Sequence, residues 1–397
     1  MSEDSRGLKY SNIVFFVMLA FFVMLQLVLY KFMINKSDNI VHMAFVRTLF
    51  TGEQVDGFPA QMKAYPLFHI TAWMLSIVCL GNTDVAGICV LIGANVASVI
   101  IIRHLLKGLT DGENIGTKYL IDFVSIAYLI FSPIAGFLTD GRFYKRQCGP
   151  NPWHNPTITF VRPIGLLAFF FFVCVIKSME NGREKKEYRK ALVCFSVFSV
   201  LSVLAKPSFM MVFLPAMGCY AFIYWMRDVK GRFPDAIKLL VAVLPTFAVL
   251  LGQSVFFQFI DEGTAGTVKF SIGGFSQFSL TEIICVSMAT FPVPVIALLL
   301  YRKEILKTAE VKTSYIALLI GFIEMFMLTN GPTGDFSWGY DLSVGLATVV
   351  VLVQSFCLKE KNKDWRRILL MVLFLIQVVM GLLYIFILYH NGGREWF

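Results

Sequence analysis

The sequence predicts an all-α, polytopic integral membrane protein of about eleven transmembrane helices, and three observations predict it. Of 397 residues, 57% are hydrophobic, with a mean hydropathy of +0.70. Only 15% are Asp, Glu, Lys or Arg, against roughly 25% in soluble domains, too few to coat a water-soluble globule. The apolar residues fall in long runs rather than in the alternation of a membrane β-barrel. Together these features exclude a soluble enzyme, a disordered chain and a nucleic-acid-binding module. The net charge of +9 therefore has to be read by where the cations fall.

The N-terminal segment is polar and carries Arg6 and Lys9. The first apolar run, about 13–33, has no small-residue cleavage site and reads as an uncleaved first helix rather than a removed signal. Further runs occupy about 84–102, 119–138, 157–176, 191–205, 208–226, 239–259, 280–301, 314–329, 338–358 and 368–389. The stretch 65–80 is apolar but short, and suits a re-entrant or interfacial segment.

Charge fixes the expected topology. If 65–80 does not cross and the N-terminus is cytoplasmic, the inside loops are 1–12, 103–118, 177–190, 227–238, 302–313 and 359–367. They then collect roughly two thirds of the 35 Lys and Arg, as the positive-inside rule requires. If 65–80 crosses, either the basic loop 177–190 or the N-terminus moves outside. The expected protein is a multi-pass plasma-membrane protein with its N-terminus in the cytoplasm and its C-terminus outside. The outer loops are then 34–83, 139–156, 261–279 and 330–337. The inner loops hold no phosphate-cradling glycine pattern, so chemistry is expected to face outward or lie within the membrane. Cys148 lies in a polar loop and the other seven Cys in apolar runs, with no CxxC pair; they read as small apolar residues.

In the first outer loop, a helix is expected to start at Ser37 or Asp38, with Ile40, Val41, Phe45, Leu49 and Phe50 on its apolar side. Asp38 and His42, four apart, share a face. A carboxylate there can serve as general base on a lipid-linked substrate; a capping Asp with a solvated His fits equally well. Tyr65-Pro66 opens the short segment that carries His69, and Tyr65 also suits a headgroup anchor.

The second outer loop contains Asp140, then Trp153 and His154 among three prolines, a rigid setting for a flat face beside a hydrogen-bonding group. An interfacial Trp in a structural turn is the plainer alternative. Arg162, about one turn inside the membrane boundary, needs a partner, and a phosphate suits its planar fork. Lys206-Pro207-Ser208 interrupts the apolar stretch 191–226. Lys206 reads as a binder of lipid phosphate or as a snorkelling cation at a turn. Asp335, Trp338, Tyr340 and Asp341 cluster late in the chain, where a substrate pocket and an aromatic belt are equally served. Glu324, inside an apolar run, needs a partner.

Taken in order, one N-terminal span, Asp38 with His42 on an outer juxtamembrane helix, Tyr65-Pro66 with His69 on a non-crossing segment, and a span ending in Arg103-His104 resemble the N-terminal module of the GT-C superfamily of polytopic glycosyltransferases. The resemblance covers roughly 10–180. It divides a single transmembrane unit, 1–397, into a GT-C-like module, 1–180, containing outer loop 34–83, and variable C-terminal helices, 181–397. It implies a polyprenyl-phosphate-linked sugar donor, a glycan or lipid acceptor at the outer face, membrane lipids but no nucleic acid as partners, and an inverting-type attack with Asp38 as catalytic base. Lys206 and Arg162 would hold phosphate. His42, Asp140, His69 and His154 are candidates for catalysis or positioning, and Tyr65, Trp153, Asp335, Trp338 and Tyr340 for substrate contact. Asn39 follows Asp38 where some members have a second acid, and Asp140 is the acid available in the second outer loop. No cofactor is required by any motif, and a divalent metal, Mg or Mn, is the one candidate. The abundance of Phe and Lys, with modest Ala, points to an AT-rich bacterial source, and the resemblance implies a role in cell-envelope polysaccharide synthesis. The alternatives are a polymerase or ligase of lipid-linked glycans and an ion-coupled transporter, the latter for its ionisable residues within spans.

Overall fold

The computed structural model describes residues 3–52, 63–110, 115–134, 151, 153–181, 185–259, 268–274, 277–329, 336–358 and 364–391. These residues are almost wholly helical. In chain order the helices are α1 (Glu3–Met33), α2 (Ser37–Thr51), α3 (Leu67–Val78), α4 (Thr83–Lys107), α5 (Ile115–Ala127), α6 (Pro156–Asn181), α7 (Lys185–Ala205), α8 (Ser208–Met226), α9 (Phe233–Phe259), α10 (Leu280–Thr290), α11 (Pro292–Tyr301), α12 (Ala309–Met327), α13 (Ser337–Cys357) and α14 (Asp364–His390). One two-residue pairing joins β1 (Lys269–Phe270) to β2 (Leu328–Thr329) in antiparallel register.

Among the described residues, eight helices are long and apolar enough to cross a membrane, and nine if the pair α10–α11 is one broken span. The remaining apolar runs differ for local reasons. In the run 119–138 the helix ends at Ala127. Beyond it Ser132 and Ile134 give their amide hydrogens to Gln377 O and Ala289 O, carbonyls of α14 and α10. The run 280–301 breaks by 86°, because Pro292 opens α11 after Phe291 at φ −132°, ψ 54°; proline lacks the amide that would continue the ladder. The helix α12 carries Glu310, Lys312 and Glu324. The segment after Tyr65-Pro66 is the short apolar helix α3 of 12 residues, as its length predicts.

The bundle has a central helix and a rim. Within α13, 89% of the spanning window is buried inside the protein, against 28% in α9 and 33% in α1. Rim side chains such as Phe21, Val241 and Phe386 are exposed, an arrangement that only an apolar solvent leaves without cost. Close approach to α13 uses small residues. A Cβ on Gly339 would lie 2.7 Å from the Ser208 carbonyl oxygen, and one on Gly321 would lie 2.9 Å from Tyr340 Cα. On α14, Gly381 is pressed so tightly on the Ile130 carbonyl that no Cβ fits.

Two polar clusters tie the first helices together. At one end Arg103 pairs with Asp122 at 2.6 Å and donates to Asn12 at 2.8 Å, while Ser11 donates to Asp122. At the other, Arg47 bridges Asp84 and Asn35, both at 2.7 Å. This second cluster locks α2 against the start of α4.

Candidate functional site

The site grows from two helix starts and one helix break. The chain leaves α1, passes Ser37 at φ +50°, an uncommon backbone angle for a residue with a Cβ, and begins α2. Sequence periodicity made Ile40, Val41, Phe45, Leu49 and Phe50 the apolar side of a helix lying on the membrane surface; Ile40, Leu49 and Phe50 are 46%, 38% and 40% exposed, while Phe45 is buried. The buried face is Asn39, His42, Met43, Phe45 and Val46. The polar residues of α2 therefore turn into the protein. Asp38, in the first turn, is half-buried, and its Oδ2 accepts a hydrogen bond from Asn155 Nδ2 at 3.0 Å.

Asn155 stands just before Pro156, the residue that opens α6. Proline suits the first helical position because its missing amide would have no partner there. The Asn155 Oδ1 accepts from Ile158 N at 3.1 Å and from the Thr157 hydroxyl at 2.9 Å. This is the capping role of Asn, and it leaves the amide nitrogen to hold Asp38. The Thr157 hydroxyl in turn accepts from Lys206 Nζ at 3.2 Å. Lys206 follows the last residue of α7, and Pro207 precedes α8. Its ammonium lies 5.2 Å from the Trp338 ring centre, a distance at which the ring face attracts a cation. The His154 ring stands 5.9 Å from Trp338. A hydrogen-bonded line thus runs from Asp38 through Asn155 and Thr157 to Lys206, with Trp338 and His154 beside its end.

His42 and His69 lie against this line. Their rings stack, with Nδ1 of His42 and Nε2 of His69 2.9 Å apart. Burial, then the neighbouring His69, then Lys206 push the His42 imidazole well below its usual range. Burial alone takes His69 down to about 3. Both rings are therefore neutral at pH 7, and one proton between them makes the bond. Among the described residues, His69 Nδ1 has no hydrogen-bond partner. Behind the pair, Tyr65 is buried, and the carbonyl of Ala64 accepts from Gln253 of α9 at 2.6 Å. That amide also reaches Val203 O at 3.2 Å.

The remaining predicted residues lie elsewhere. Trp153 is 3% exposed, packed on Phe22 and Tyr30, so its faces meet the protein interior. Arg162, deeper along α6, donates to Asn95 Oδ1 at 3.2 Å and sits 5.9 Å from the Tyr128 ring centre. Asn95 links onward to Gln26 Oε1 at 2.7 Å and Tyr30 OH at 3.2 Å. Tyr340 is fully buried against Phe291 and Phe326. Asp140 and Asp335 fall outside the described residues. The described residues contain no group of three or more His, Cys, Asp and Glu suited to a metal ion.

Sequence reasoning passed over Asn155 and Thr157 as site residues, and set Asp341 only within the late cluster of turn residues, carboxylates and aromatics. An Asn-Pro-Thr opening an apolar helix carries a readable capping signal. Asp341, one turn into α13, is 1% exposed, and among the described residues neither carboxylate oxygen finds a hydrogen-bond partner. Compared with protein families and with curated proteins, the chain matches none.

Proposed function

We propose that this protein is a membrane glycosyltransferase of GT-C type, moving a sugar from a polyprenyl-phosphate donor to an acceptor hydroxyl at the outer face of the plasma membrane. The observation that supports the reading is the hydrogen-bonded line from Asp38 to Lys206. It gathers a candidate base and a candidate phosphate cation from segments far apart in the chain. Asn155 occupies Oδ2 of Asp38 and leaves Oδ1 for a hydroxyl. In the reaction the acceptor oxygen bonds to the anomeric carbon as the bond from that carbon to the phosphate oxygen breaks. The hydroxyl proton passes to Asp38, and the bonding pair leaves on the polyprenyl phosphate. Lys206 and the capped start of α6 meet that growing charge.

The same proposal keeps eleven crossings with the N-terminus inside, counting α5, the bent pair α10–α11 and α12 with the eight long helices. The test is transfer from polyprenyl-phosphate sugars in proteoliposomes. Asp38→Asn is expected to lower turnover by about 10²-fold or more while the protein keeps its thermal midpoint. Full activity in that variant overturns the assignment.

A second reading, an ion-coupled transporter, draws on Glu324 and Asp341, carboxylates buried within the bundle. Such residues often mark an ion or proton path. Solute uptake that tracks a proton gradient and survives Asp38→Asn would favour it.

A further inference from the structure

A cavity that the proposed function leaves unassigned lies at the opposite end of α8 from Lys206. It measures about 240 Å³ and is bounded by Tyr220, Tyr224 and Arg227 at the end of α8 and by Leu306, Lys312 and Ile316 around the start of α12. Its walls are apolar side chains and tyrosine rings. Ile223, one of its lining residues, is 51% exposed on the apolar flank of α8.

The charges around it are unevenly committed. Among the acids, Glu310 pairs with Lys177 at 2.5 Å, Asp235 pairs with Lys238 at 2.9 Å, and Asp228 accepts from Gly231 N at 3.0 Å. Glu180 faces Tyr220. Arg232 is stacked 4.1 Å from the Tyr224 ring centre and donates to the Tyr224 carbonyl. Arg227 and Lys312, by contrast, make no ion pair among the described residues. Two cations therefore border an apolar slot beside the hydrocarbon-facing flank. A soluble anion would satisfy the cations and waste the slot, and a neutral lipid would fill the slot and leave the cations.

We propose that this cavity binds an anionic phospholipid, its phosphate between Arg227 and Lys312 and an acyl chain along Leu306 and Ile316. Basic pockets between spanning helices on the cytoplasmic side suit such headgroups. The leaflet follows from the orientation proposed above, whereas the binding chemistry does not depend on it or on the transferase reading.

The experiment is a titration of the full-length protein, purified in neutral detergent, with phosphatidylglycerol and with phosphatidylcholine of the same chain length, read by native mass spectrometry. Phosphatidylglycerol is expected to bind about fivefold more tightly for each engaged cation. The Arg227→Gln, Lys312→Gln double variant should fall to the phosphatidylcholine level. Ile316→Trp, which fills the slot, should lower binding of both lipids. Arg189→Gln with Lys190→Gln, equal in charge change but outside the cavity, should bind like the parent. The proposal is overturned if the Arg227, Lys312 double variant keeps its preference, or if the Arg189, Lys190 variant loses as much. It is equally overturned if glycerol phosphate displaces the lipid at matched concentration, which would make the site one for a soluble phosphate.

Discussion

Asn155 does two things with one amide: its oxygen caps α6 and its nitrogen holds Asp38. The roles separate by substitution. Asn155→Ala removes both and should cost about 1 kcal/mol in stability. Asn155→Ser keeps a capping oxygen, but its hydroxyl donor sits one bond nearer the backbone than Asn155 Nδ2 and falls short of Asp38. Its stability should stay within about 0.5 kcal/mol of the parent, while transferase turnover falls because the carboxylate is no longer oriented. Thermal midpoint and turnover measured on the same preparations read the two effects. If the Ser variant turned over like the parent, the Asn155–Asp38 bond would be irrelevant to chemistry. Lys206 is held differently, donating to the Thr157 hydroxyl and lying over the Trp338 ring. Lys206→Met should therefore preserve the local packing of α7 on α8 and weaken capture of a phosphate-bearing donor, seen as a raised KM.

At the scale of elements, α3 is docked on α2 largely by the neutral His42–His69 pair and anchored behind by Gln253. The pH dependence follows from the sign of the shifts. Both imidazoles lie below the ordinary value of 6.5 when docked, His69 at about 3. The undocked segment therefore binds more protons, and docking weakens as pH falls below 6.5. It loses about 1.4 kcal/mol per pH unit for each proton excluded until the docked value is reached, and it is fully retained above 6.5. Protection factors over 63–78, the exchange rates corrected for the intrinsic pH dependence of amide exchange, should fall between pH 6.5 and 5 in the parent but not in a His42→Phe, His69→Phe protein. Unchanged protection in the parent would remove the pair from the docking account. Much of this element was legible in the sequence. Asp38, His42 and His69 stand out as polar groups beside apolar runs, and the length of 65–80 sets α3 apart from a span. The inward face of α2 was not legible. Apolar periodicity gave the membrane-facing side, Ile40, Leu49 and Phe50, but it does not say which of the remaining residues, here Asn39, His42, Met43 and Val46, face the protein. Nor could hydropathy foresee the end of α5 at Ala127, because carbonyls of α10 and α14 replace its helical partners. That exchange depends on neighbours more than 150 residues away.

At the scale of the molecule, orientation decides whether the two ends of the bundle have the roles assigned to them. The Asp38 end and the Tyr220–Lys312 cavity lie at opposite ends of α8, since Lys206 precedes that helix and Arg227 follows it. A span of this length, 19 residues, is about 28 Å at 1.5 Å per residue, close to the hydrocarbon thickness, so one end cannot share a compartment with the other. The cations favour the Arg227 end as cytoplasmic. It is flanked by Arg227, Lys230, Arg232 and Lys238, whereas the α7–α8 break carries Lys206 alone. The prediction is tested with single reporters on either side, Lys36→Cys near the start of α2 and Lys230→Cys after α8. The background is a protein whose eight native Cys have been replaced by Ser or Ala and which retains its thermal midpoint. A membrane-impermeant thiol reagent applied to intact cells should label Lys36→Cys and leave Lys230→Cys unreacted until the membrane is opened. The reverse pattern would put Asp38 among cytoplasmic solutes. It would remove the lipid-linked donor reading and transfer the lipid cavity to the other leaflet, with its Arg227–Lys312 chemistry intact.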